Sequence, residues 1–93
     1  MIPNNHLGLF IVGFCERTNH SPKSLSEKAD IPYVYLKSYV CKGTEPKLKQ
    51  IMKLSDAMAT IAKTARYSMF KRVFVALEKD FKKEKYPPNR TIK

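Results

Sequence analysis

Residues 21–43 read SPKSLSEKADIPYVYLKSYVCKG, and the punctuation in that stretch decides the fold. Ser21 is a helix-capping residue type, because its hydroxyl accepts from the unpaired amides of a first turn. Pro22 follows at the first helical position, where an amide hydrogen has no use. Leu25 and Ala29, four residues apart, give the short helix one apolar face. Asp30 is a residue type that tolerates the backbone angles of a tight turn. Ile31 is expected inside, and Pro32 restarts a helix whose candidate inward positions are Val34 or Tyr35, Leu36, Tyr39 and Val40. Gly43 supplies the stop. Two short helices, near 21–29 and 32–42, are therefore expected on either side of a tight turn.

Outward from this pair, helical spacing continues. Leu7, Ile11 and Phe14 recur at helical intervals, with Phe10 and Cys15 widening the stripe, which predicts a first helix over about 5–18. Asn19-His20 breaks it. A fourth helix is expected from Thr44-Glu45-Pro46, with Leu48, Ile51, Met52, Leu54, Met58 and Ile61 on its apolar side. No Gly or Pro occurs between Lys47 and Tyr86, so nothing local marks its end. A fifth helix, about 64–84, places Tyr67, Phe70, Phe74, Leu77 and Phe81 at steps of three and four, the spacing of a heptad seam. Glu78 and Lys82 lie four apart in the favourable order. Pro87-Pro88 ends the helix and leaves a short basic tail. Nothing reads as a strand. The expected class is all-α with five helices: a domain over 1–61 and a basic helix with its tail over 62–93.

Composition narrows the function. The 93 residues hold 18 Lys plus Arg against 8 Asp plus Glu, a net charge of +10, and residues 62–93 contribute ten basic and three acidic side chains of that total. A small basic domain points to a polyanionic partner such as nucleic acid, though charge alone fits a solvated lysine face equally well. No apolar run is long enough to span a membrane. The stretch Leu7–Cys15 lacks the basic lead and small-residue cleavage site of a signal peptide, so it is read as a buried helix. Cys15 and Cys41 match no metal spacing, and His6 and His20 have no ligand partners nearby. Reduced thiols in a cytoplasmic protein are expected. Paired carboxylates, a Cys–His arrangement and a phosphate loop are all missing, so neither an enzyme nor a small-molecule cofactor is expected.

One combination of residues is more specific. Leu7-Gly8, Ile11, Phe14, Glu16, Ser21, Leu25, Glu27-Lys28-Ala29, Ile31, Tyr35-Leu36, Gly43 and Pro46 resemble the lambda-repressor-like (Cro/CI, XRE) helix-turn-helix family over residues 7 to 60 without a gap. The resemblance implies a sequence-specific regulator of transcription, a repressor on double-stranded DNA, with the helix near 32–42 in the major groove. Tyr33, Val34, Lys37 and Ser38 would face base edges. Ser21, Lys23, Lys42 and Lys47 would meet the DNA backbone. Of Tyr33 and Tyr35, one is expected to pack in the core and Tyr33 to point outward.

The departures are informative. The family often pairs an arginine late in the first helix with a glutamate late in the recognition helix; Cys15 and Val40 stand at those positions. Losing both members of an ion pair together leaves no buried charge stranded, which supports the alignment. Pro22 replaces a glutamine, Asp30 replaces the turn glycine, and Gly43 falls one residue late.

The fifth helix has two readings. The seam Tyr67–Phe81 either folds over the first and fourth helices and completes the core, or forms a homodimer interface such as two half-sites require. An alternative function is a protein-binding module, an antitoxin or adaptor, with that helix as its contact surface.

Overall fold

A computed structural model describes residues 1–83. Among them the chain is all-α, with α1 His6–Thr18, α2 Pro22–Ala29, α3 Tyr33–Cys41, α4 Leu48–Ala62 and α5 Arg66–Phe81. No helix among these residues is long and apolar enough to cross a membrane. The expected ends of the fifth helix beyond Lys83, and the tail at 89–93, lie outside the described residues.

The turn signals act as their chemistry predicts. Ser21 accepts the amide of Ser24 through its hydroxyl at 3.0 Å. Asp30 adopts the left-handed conformation at φ 58°, and its amide and that of Ile31 donate to Glu27 and Ser26. Two carbonyls at the end of α2 are satisfied this way, while Ile31 drops into the core. Gly43, at φ 69°, closes the chain after α3. The fourth helix begins later than expected, at Leu48, because the chain stays extended at Lys47 (ψ 160°). Its end is set by Lys63 in the left-handed conformation.

One buried cluster joins all five helices. Leu7, Ile11 and Phe14 of α1, Leu25 of α2, Leu36 and Val40 of α3, Leu54 and Met58 of α4, and Met69 and Val73 of α5 meet in it. Burial of apolar surface here is the main stabilising term. Two buried serines bring no orphaned hydroxyl, since Ser26 donates to the Lys23 carbonyl at 2.7 Å and Ser55 to that of Ile51 at 2.8 Å.

The heptad seam is not the face that α5 turns inward. Met69, Val73 and Ala76 enter the core, Phe70 and Leu77 are half-buried at its edge, and Tyr67, Phe74 and Phe81 are 71%, 55% and 82% exposed. Completion of the core by the seam is therefore corrected. The contact face lies between α1 and α4, where compact or unbranched side chains let the backbones approach.

A polar contact locks this arrangement. The Asp80 carboxylate, near the end of α5, accepts the amides of His6 at 2.7 Å and Leu7 at 3.0 Å, while Asn5 accepts that of Gly8 at 2.6 Å. Three of the four unpaired amides at the start of α1 are thereby satisfied, two of them by a negative charge at the positive end of the helix. Asp80→Ala is expected to cost about 1–2 kcal/mol, read as a thermal midpoint lower by roughly 5–15 °C. A midpoint within a degree or two of the parent would show the cap to be dispensable.

Candidate nucleic-acid interface

Helix α3 is built to hold one side still and leave the other open. At about 100° per residue, Leu36, Tyr39 and Val40 share an inward arc, and all three are buried. Tyr33, Val34 and Lys37 occupy the opposite arc and are exposed, with Ser38 half-buried beside them. Tyr35 is also outward, at 51% exposed against 39% for Tyr33. The expectation that one of these two tyrosines packs inside is thus corrected, as is the inward placement of Val34. Tyr39 is the tyrosine that enters the core. Burial, followed by the neighbouring Tyr35, pushes its phenol above the usual range.

The C-terminal end of α3 is tied to another segment of the chain, and its start is held only by its own first turn. At its start, the Pro32 carbonyl accepts the amides of Tyr35 and Leu36, and no side chain caps the first turn. At its end, the N-terminal segment supplies donors to carbonyls that a helix leaves unpaired. The Asn4 amide donates to Val40 at 3.0 Å and the Asn5 side-chain amide to Tyr39 at 3.1 Å. The Ser38 carbonyl takes the amides of Lys42 and Thr44. Gly8 lets α1 come this close, since a Cβ there would meet the Val40 carbonyl oxygen at 2.6 Å. Asn5 and its clamp escaped the sequence reading, although an asparagine three residues before Gly8 is a capping signal.

The remaining expected site residues fall around this helix. Ser21 is exposed but spends its oxygen on the α2 cap, and Ser38 donates its hydroxyl to the Tyr35 carbonyl at 2.8 Å. Lys23, Lys42 and Lys47 are exposed on α2 and on the loop between α3 and α4. Asp30, the acidic residue of the turn, is partly neutralised by Lys53 of α4, whose ammonium lies 3.7 Å from the carboxylate and donates to the Asp30 carbonyl at 3.3 Å. The one charged side chain on α3 itself is Lys37. This face offers aromatic and aliphatic surface, a single central cation and lysines at the margin.

Comparison with protein-family models, with curated proteins and with solved structures gives no match. The geometry therefore carries the functional argument alone.

Cys15 and Val40 are both buried. Burial, and then the charge of Glu16, raises the Cys15 thiol above its ordinary range, so it packs as an apolar group and is poorly nucleophilic. Neither cysteine is bridged. Among the described residues no three His, Cys, Asp or Glu side chains gather as a metal site would need.

Proposed function

We propose that this chain is a lambda-repressor-like helix-turn-helix protein that binds double-stranded DNA sequence-specifically and represses transcription. The observation that carries the reading is α3 itself. It is a nine-residue helix clamped at its C-terminal end by Asn4 and Asn5, preceded by a capped partner helix and a three-residue turn, with Tyr33, Val34 and Lys37 outward. A helix in the major groove needs that rigidity, because base contacts are lost with small misplacements.

Val34 and Tyr33 have the chemistry to meet thymine methyl groups, and Lys37 to donate to a guanine edge or a phosphate. Ser38 donates to its own helix, so its oxygen serves as an acceptor. Lys23, Lys42 and Lys47 neutralise phosphates on either side. Apolar contacts and DNA shape then supply more of the specificity than a bidentate polar code does.

The protein acts as a homodimer through the outer aromatic ridge of α5. Tyr67, Phe74 and Phe81 stand out from the fold, with the Phe74 ring 6.3 Å from that of Phe70. An exposed apolar ridge of this kind marks an interaction surface. The same ridge favours the adaptor or antitoxin reading if sedimentation finds only monomers.

Selection from a random duplex pool should enrich a short, two-fold symmetric site. Tyr33→Ala and Lys37→Ala should each weaken binding to that site by about tenfold or more. A pool that yields no preferred sequence, or variants that keep both affinity and preference, would remove α3 as the reading element.

A further inference from the structure

The charge on α5 lies away from the α3 face, and part of it stands on the flank of α5 that faces α1. A groove runs between α1 and α5, with Phe10 and Gly13 on one wall and Val75 and Ala76 on the other. Arg17, Arg72 and Lys79 stand along it, and every charged side chain that lines it is basic. Among the described residues none of these three forms an ion pair. The Asp80 carboxylate, next to Lys79 in the chain, is committed to the amides of His6 and Leu7.

Gly13 supplies an independent observation. Glycine inside a helix costs about 0.5–1 kcal/mol relative to alanine, so it needs a reason. Gly8 has one in the Val40 backbone, but a Cβ on Gly13 would meet only the guanidinium end of Arg17, at 3.3 Å. Nothing within the fold demands that this position be bare. Its effect is to lower the wall of the groove midway along α1, beneath the movable guanidinium of Arg17.

We propose that the α1–α5 groove is a docking site for an acidic amphipathic helix of another protein. The apolar floor takes one face of such a helix, and the bare Gly13 admits its closest approach. Arg72 and Lys79 lie seven residues apart on α5, about 10 Å along its axis, which matches carboxylates two turns apart on the partner. Arg17 faces them from α1 and receives a carboxylate on the other edge. Helix-in-groove binding of this type divides the work in the usual way: apolar anchors give affinity, and the charges give orientation and rate. A second copy of this chain, with its net charge of +10, does not complement the groove. Nor do residues 84–93, which bring three basic side chains and one acidic one. This site is separate from the α3 face and stands whether or not α3 reads DNA.

The test is fluorescence anisotropy of the full chain with a labelled helical peptide of Leu and Glu, its leucines at i, i+3, i+4 and i+7, beside the same peptide with Lys for Glu. Saturable binding of the Glu peptide alone is expected. Gly13→Leu, which fills the groove, and the exposed double variant Arg72→Glu/Lys79→Glu should each weaken it at least tenfold, with thermal midpoints near the parent's. Tyr33→Ala should leave it unchanged. Failure of the Glu peptide to bind overturns the proposal, as does equal binding to the Lys peptide or indifference to both groove variants. The double variant is also run against a random-sequence duplex: a loss of duplex affinity as large as the loss of peptide affinity makes the groove a DNA-backbone surface instead.

Discussion

Gly8→Ala is expected to lower the thermal midpoint of this protein by roughly 8–16 °C. Two effects compete. Alanine removes the conformational penalty of a helical glycine, worth about 0.5–1 kcal/mol in favour of the variant. Against this, the new Cβ would lie 2.6 Å from the Val40 carbonyl oxygen, 2.7 Å from Asn5 Oδ1 and 3.0 Å from the Val40 Cα. Two of those atoms are backbone and cannot swing away, and forcing an extra carbon into such a contact costs about 3 kcal/mol. The clash wins by about 2 kcal/mol. Relief requires α1 to move off α3, which also parts the Asn5 side-chain amide from the Tyr39 carbonyl and the Asn4 amide from Val40. Gly13→Ala is the internal control. It adds the same methyl to the same helix, where the neighbour is a flexible arginine tip, and should leave the midpoint unchanged or raise it. Equal midpoints for the two alanine variants, measured by circular dichroism, would show that the α1–α3 approach stores no such constraint.

That contrast bears on what a sequence can disclose. The α2–α3 pair was legible because each boundary is marked by a residue with a local reason to be there: the Ser21 oxygen, the Pro22 ring, the short side chain of Asp30, the missing Cβ of Gly43. The end of α4 carried no such mark, since Lys63 takes a left-handed conformation that its type does not favour. The inward face of α5 was hidden for another reason. Aromatic residues at steps of three and four imitate a core stripe, but Met69, Val73 and Ala76 keep the same rhythm with smaller side chains, and only those fit between two helices. Asp80 was beyond reach altogether, because its partners lie more than seventy positions away in the chain. Of the expected site, Tyr33, Val34 and Lys37 are on one open face; the clamp that holds them there, Asn4 and Asn5, lies more than thirty positions away in the chain.

Leu36 and Lys37, adjacent on α3, are expected to fail in opposite ways. Leu36 is fully buried beside Tyr39 and Val40. Leu36→Ala removes that contact and leaves a cavity, for about 3 kcal/mol or more, a large share of the 5–15 kcal/mol that holds a typical small domain together. The midpoint in urea should fall sharply with little change in slope. DNA affinity measured well below that midpoint should fall only in proportion to the folded fraction. Lys37 is exposed and makes no ion pair among the described residues. Lys37→Glu should therefore change stability by about 0.5 kcal/mol or less. On the proposed reading it nevertheless replaces the central cation of the groove-facing surface by an anion, which loses a base or phosphate contact worth about 1–3 kcal/mol and adds repulsion from the phosphates. Duplex binding, followed by anisotropy at fixed salt, should drop at least tenfold while the urea curve stays in place. The two variants together separate holding from reading. If Lys37→Glu binds as the parent does, α3 is a structural helix whose open face has another use, and the polyanion must be sought along the lysines of α2 and α5.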